Sequence, residues 1–261
     1  MKTSMLLLKK KNAVCSFFKI KIPILSYLIV IAFLLVITKA HAMRKTTESK
    51  ISLSSIKNMA LSVFTVGSGG NYSTLKTVFD AINAGTINGV ITFQIISNTT
   101  ETATATLNAS GSGLANYSSV LIYATGAGYS INSNTANPLV NFNGADNVVI
   151  DRRVNATGTT ADLTFTYTNT GINASTLQLV NSAENNTIRY ATHTGSCVSL
   201  GIAVVNFSTC ASGNGNDTNI IEYCNLTNAG GNRPFNGILS SGMQGEKIVA
   251  NPYNFKFCNH D

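Results

Sequence analysis

Tryptophan is absent from this 261-residue chain, proline occurs four times, and only 11% of the residues are charged. So little charge would ordinarily threaten solubility, but abundant Ser, Thr and Asn hydrate a surface through hydroxyls and amides. Other absences narrow the function. No Cys-x-x-Cys and no close pair of histidines occurs, which weighs against a zinc site. No Gly-x-Ser-x-Gly elbow is present, so nucleophilic hydrolysis has no support. A second amphipathic helical period is missing too, which argues against a sheet built from βαβ units.

The formal net charge of +7 has a single source. Lys2, Lys9, Lys10, Lys11, Lys19, Lys21 and Lys39 meet no acid before residue 43, and the remainder carries 11 basic and 11 acidic residues. A neutral body offers no nucleic-acid surface. Six of those lysines precede the apolar run Ile22 to Ile37, and Ala40-His41-Ala42 follows it, which is the order of a secretory signal. We expect residues 1–42 to be a signal peptide cut after Ala42, and the product to be secreted or displayed at the cell surface. The run of about 16 residues falls short of the ~20 that span a bilayer as a helix. A membrane is therefore expected as a partner only through this segment, if it stays uncleaved.

What is present after residue 42 is a rhythm. Residues 43–61 read as a linker, and residues 62–244 as one domain of short apolar strands separated by Asn, Gly and Ser turns. One helix interrupts them: Leu75, Val78, Phe79 and Ile82 fall at i, i+3, i+4 and i+7, with Ser73 or Thr74 as N-cap and Gly85 as stop. Asn143-Gly144-Ala145-Asp146-Asn147-Val148-Val149-Ile150 recurs 38 residues later as Asn181-Ser182-Ala183-Glu184-Asn185-Asn186-Thr187-Ile188. A looser copy, Asp217-Thr218-Asn219-Ile220-Ile221-Glu222-Tyr223, follows 33 residues on. Such intervals favour a solenoid of stacked coils over a sandwich or barrel. In that register Ile150, Ile188 and Ile221 form an inward ladder. Asn147, Asn185 and Thr218 line a turn row, and Asp146, Glu184 and Asp217 stack beside it.

These residues carry a resemblance. FTVGSGGNYSTLKTVFDAINAG, residues 64–85, looks like the opening segment of pectate-lyase-like right-handed parallel β-helices, where a Gly-rich strand end precedes a capping helix. The stretch to about Gly242, centred on NGADNVVIDRRVNATG, resembles β-helical regions of large secreted or surface, adhesin-like proteins of Bacteroidetes-type bacteria. It implies an all-β right-handed parallel β-helix with an N-terminal capping helix, incomplete at the C-terminus. Arg152 stands where the resemblance implies a glycine in a left-handed turn, so a strained backbone is expected there. From Gly245 the repeat texture stops, and residues 245–261 read as an irregular tail of a truncated or frame-shifted product.

Candidate chemistry is thin. Asp146, Asp151, Arg152 and Arg153 could present carboxylates and guanidinium groups to a sugar acid, yet Asp146 belongs to a repeated turn row and reads as structural. Asp146 with Asp151 is a meagre oxygen supply for calcium. Gly67-Ser68-Gly69-Gly70 lacks the Lys-Ser/Thr of a phosphate loop. Tyr190 and Tyr223 are repeat-equivalent, which makes a stacked row the first explanation. Cys197 and Cys210 bracket an apolar insertion, and a disulfide there would close a loop of about 14 residues, worth roughly 3 kcal/mol. No catalytic residue, metal or cofactor is assigned. The expected role is structural or adhesive, with carbohydrate or cell-surface components as partners; the alternative is a lyase or esterase acting on uronate-containing glycans.

Overall fold

The structure is a computed structural model that describes residues 61–159, 162–208 and 215–241. The expected signal peptide, all of the linker but Leu61, the tail at 245–261 and Cys210 lie outside the described residues. All described residues fall in one compact unit.

Strand β1 (Leu61–Val66) runs through the Gly67–Gly70 turn into helix α1 (Leu75–Asn83). Thr74 is the N-cap, in a capping box with Thr77, and Gly85 (φ 71°) follows the Ala84 C-cap. After the helix the chain winds through five coils of three strands each. The first comprises β2 (Asn88–Ile95), β3 (Thr99–Glu101) and β4 (Ala105–Asn108); the second β5 (Asn116–Ala124), β6 (Ser130–Ser133) and β7 (Val140–Asn143). The third holds β8 (Val148–Val154), β9 (Thr164–Tyr167) and β10 (Leu177–Val180). The fourth holds β11 (Thr187–Arg189), β12 (Thr192–Gly195) and β13 (Val205–Phe207), and the fifth β14 (Ile220–Glu222), β15 (Asn225–Asn228) and β16 (Ile238–Ser240).

Equivalent strands pair in parallel and make three sheets, ordered β1-β2-β5-β8-β11-β14, β3-β6-β9-β12-β15 and β4-β7-β10-β13-β16. The fold is an all-β parallel β-solenoid with one short helix. Because the side-chain period of a strand is two, alternate residues of every strand enter the shared interior and stack on their counterparts one coil away. The first sheet stacks Phe93, Ile122, Ile150, Ile188 and Ile221 in register; the third stacks Leu107, Phe142, Leu179 and Phe207.

Helix α1 covers the start of this stack. Leu75, Val78, Phe79 and Ile82 are fully buried, each worth roughly 1.5–3 kcal/mol as apolar surface removed from water. The helix also satisfies edge strands that would otherwise expose unpaired backbone. Asn83 Nδ2 donates to Thr106 O (2.8 Å) and its Oδ1 accepts from Asn108 N (3.0 Å), both on β4. Glu101, on edge strand β3, accepts from the amides of Leu75 and Lys76, each at 2.9 Å, so a carboxylate meets the helix N-terminus.

Candidate functional site

The repeated turn holds three adjacent rows. Asn147, Asn185 and Thr218 all take left-handed backbone (φ 58°, 56° and 55°) and face outward. Thr218 Oγ1 donates to Asn185 Oδ1 at 2.7 Å. In the next row Asp146 Oδ1 accepts from Glu184 N at 2.7 Å, joining neighbouring coils. Burial raises the pKa of the Glu184 carboxyl, and the charges of Asp146 and Asp217 add to that; burial likewise raises the Asp146 carboxyl. Among the described residues no group of three or more His, Cys, Asp or Glu side chains could hold a metal ion. The row that binds coils together in the interior is one position further on. Asn186 Oδ1 accepts from Val148 N (2.9 Å), Asn219 Oδ1 accepts from Asn186 N (3.0 Å), and their amides donate to Ala145 O and Ala183 O. Sequence reasoning passed over Asn186 and Asn219 because Val148 fills the slot in the first copy.

Two residues beyond the turn, the first sheet loses its regularity. Ile122 pairs with Ile150, but Ala124 pairs with Val154, so β8 bulges by two residues. A bulge re-aims side chains, and here it sends Asp151 and Arg152 into different surroundings. The Asp151 side chain is fully buried beneath two guanidinium groups. Arg153 Nε donates to Oδ1 (2.8 Å), while Arg153 Nη2 (2.5 Å) and Arg189 Nε (2.8 Å) donate to Oδ2. Burial alone would raise the Asp151 pKa; the Arg153 hydrogen bonds and the charges of Arg189 and Arg153 overcome it and leave the carboxyl below its usual range. Arg153 also covers the Tyr190 ring at 4.3 Å, and Tyr190 stacks on Tyr223 at 4.9 Å, 10° from parallel. Unlike the acidic row, this arrangement of acid, arginines and tyrosines occurs once among the described residues. Its carboxylate has both oxygens committed, so it is poorly placed to take a proton from a substrate.

Arg152 corrects the expected strain. It lies within β8 and is not among the residues of positive φ; the left-handed positions are Asn155 and Ala156, at 53° and 54°. Its cost is desolvation. The side chain is fully buried, and among the described residues none of Nε, Nη1 and Nη2 has a hydrogen-bond partner. The guanidinium lies 5.0 Å from the centre of the Phe165 ring. His193, whose two ring nitrogens are also unpartnered, packs on the same ring at 5.3 Å. His193 occupies an apolar row, between Phe165 and Leu226. Burial first, and then the Arg152 charge, hold its pKa far below the usual imidazole value. Cys224 is pushed up to about 11, chiefly by burial, and its Sγ donates to Ile188 O (3.4 Å) and Glu222 O (3.2 Å). Sequence reasoning left His193 isolated.

Cys197 is a buried free thiol that donates to Gly171 O at 3.3 Å; its expected partner Cys210 lies outside the described residues. Between the second and third sheets, the connections of successive coils stack on one another. Phe235 N donates to Cys197 O (2.8 Å) and Asn236 Nδ2 to Leu200 O (2.9 Å). Ile172, Val198, Leu200 and Phe235 on these connections are 77%, 56%, 70% and 57% exposed. The chain matches no known protein family, no curated protein and no solved structure. Among the described residues no helix is long and apolar enough to cross a membrane.

Proposed function

We propose that the chain is a secreted or cell-surface β-helical element with a structural or adhesive role, of the kind its likeness to adhesin-like, pectate-lyase-like regions of Bacteroidetes-type proteins implies. The observation that carries this reading is the corner formed by three successive connections, where Ile172, Val198, Leu200 and Phe235 stand in solvent. A solenoid interior consumes apolar side chains, so exposing four large ones on neighbouring coils is costly unless a surface covers them. Carbohydrate rings and the apolar face of a neighbouring cell-surface component are suitable partners. Binding of the full chain to an array of polysaccharides and to cell envelopes tests this. Loss of binding on replacing Phe235 and Leu200 with Ser, at unchanged thermal stability, supports it; undiminished binding rejects it.

A second reading, a lyase or esterase on uronate-containing glycans, draws on Arg153, Arg189, Tyr190 and Tyr223 gathered on one flank. Its weakness is the closed Asp151 carboxylate. Product formation from polygalacturonate, with or without calcium, would favour this reading over the adhesive one.

A further inference from the structure

The most costly feature of the interior is the Arg152 guanidinium. It keeps its proton at neutral pH, and an uncompensated buried charge costs several kcal/mol. Among the described residues no carboxylate bonds to it. The adjacent Asp151 is held by Arg153 and Arg189, and Glu184, Asp146 and Asp217 belong to the outer turn row. The Cys224 thiol senses the Arg152 charge, but burial pushes it up to about 11, which keeps it protonated at neutral pH. A second fully buried group without a hydrogen-bond partner among the described residues, the His193 imidazole, packs on the same Phe165 ring that the guanidinium covers, and it feels the Arg152 charge.

We propose that Arg152 and His193 together bind a small monovalent inorganic anion, a halide, inside the solenoid. The donors fit that ligand: a guanidinium offers five N–H groups and a neutral imidazole one more. A single negative charge balances a single guanidinium, whereas a divalent phosphate or sulfate would leave net charge in the interior. The Phe165 wall suits a weakly hydrated sphere better than a carboxylate, which needs further polar partners. A ligand of the folded state alone stabilises in proportion to the logarithm of its concentration above its dissociation constant.

The test is thermal unfolding of the full chain at fixed ionic strength, with sodium gluconate replaced stepwise by sodium chloride or sodium bromide. Wild type should melt at progressively higher temperature as halide rises, and bromide in crystals should give an anomalous peak within hydrogen-bonding distance of the Arg152 guanidinium. Arg152→Met should lose both effects; Arg152→Gln and His193→Phe serve the same purpose should the methionine variant not fold. Equal halide responses in wild type and the folded variants would show a general salt effect and overturn the site. A wild type indifferent to halide overturns it as well.

Discussion

Asn186 reaches back one coil to Val148, accepting its backbone N–H at 2.9 Å, while the same side chain donates to Ala145 O at 2.8 Å. Both groups lie at the inner edge of a turn, where no strand partner is available. Replacing Asn186 with Val, the residue that fills this row in the preceding coil, strands a buried donor and a buried acceptor. At roughly 1–3 kcal/mol for each orphaned group, Asn186→Val should lose about 2–6 kcal/mol in urea unfolding. Asn185→Gly, one residue away but exposed and already left-handed, should stay within about 0.5 kcal/mol of wild type. Equal effects at the two positions would refute the assignment of the buried row.

The difference between those neighbours also marks what the sequence could disclose. The solenoid was legible because Ile150, Ile188 and Ile221 recur at coil intervals beside a recurring acid, and backbone periodicity leaves that trace. The second sheet was nearly invisible: β6, β12 and β15 read SINS, THTG and NLTN, with one or two inward side chains amid polar ones and no apolar run to announce a strand. Asn186 was hidden by chemistry, since an amide supporting a backbone and an amide facing water look alike in sequence. The pairing of Arg152 with His193 was hidden by topology, because a two-residue bulge in β8 decides which of three consecutive charged residues turns inward.

Glu101 should be the most sensitive single position at the N-terminal end. Its side chain accepts from Leu75 N, Lys76 N and Thr99 Oγ1 (3.1 Å), and the residue is 2% exposed. Glu101→Ala orphans two amides at the start of α1 and removes a charge aligned with the helix dipole. A loss of about 3 kcal/mol is expected, at the upper end for hydrogen bonds to a charged group. Glu101→Gln keeps one acceptor oxygen and should lose less. Hydrogen exchange is the informative measurement: amides of α1 and β4 should lose protection before those of β10 and β11, because the helix covers only the first coil. Uniform loss across all five coils would contradict a local capping role.

Asp151 and Glu184 should respond to acid in opposite directions. The Asp151 carboxyl titrates below its ordinary value of 3.8 in the fold, so the unfolded chain takes up a proton first and stability drains away as pH falls below that value. The Glu184 carboxyl titrates above its ordinary 4.5; there the folded chain takes the proton first, and stability is gained as pH falls through the raised value. Asp151→Asn should therefore be less stable than wild type at neutral pH, by about 2–3 kcal/mol. That is less than a fully buried pair would lose, since Arg153 and Arg189 are 14% and 34% exposed. The gap should close as pH drops under 3.8. Glu184→Gln should instead be more stable than wild type at neutral pH, where it relieves repulsion from Asp146 and Asp217, and lose that advantage as acid protonates the wild-type side chain. Chemical unfolding of the three proteins between pH 7 and 3 measures both differences. Parallel curves for wild type and Asp151→Asn would mean that the two arginines do not favour the ionised carboxylate.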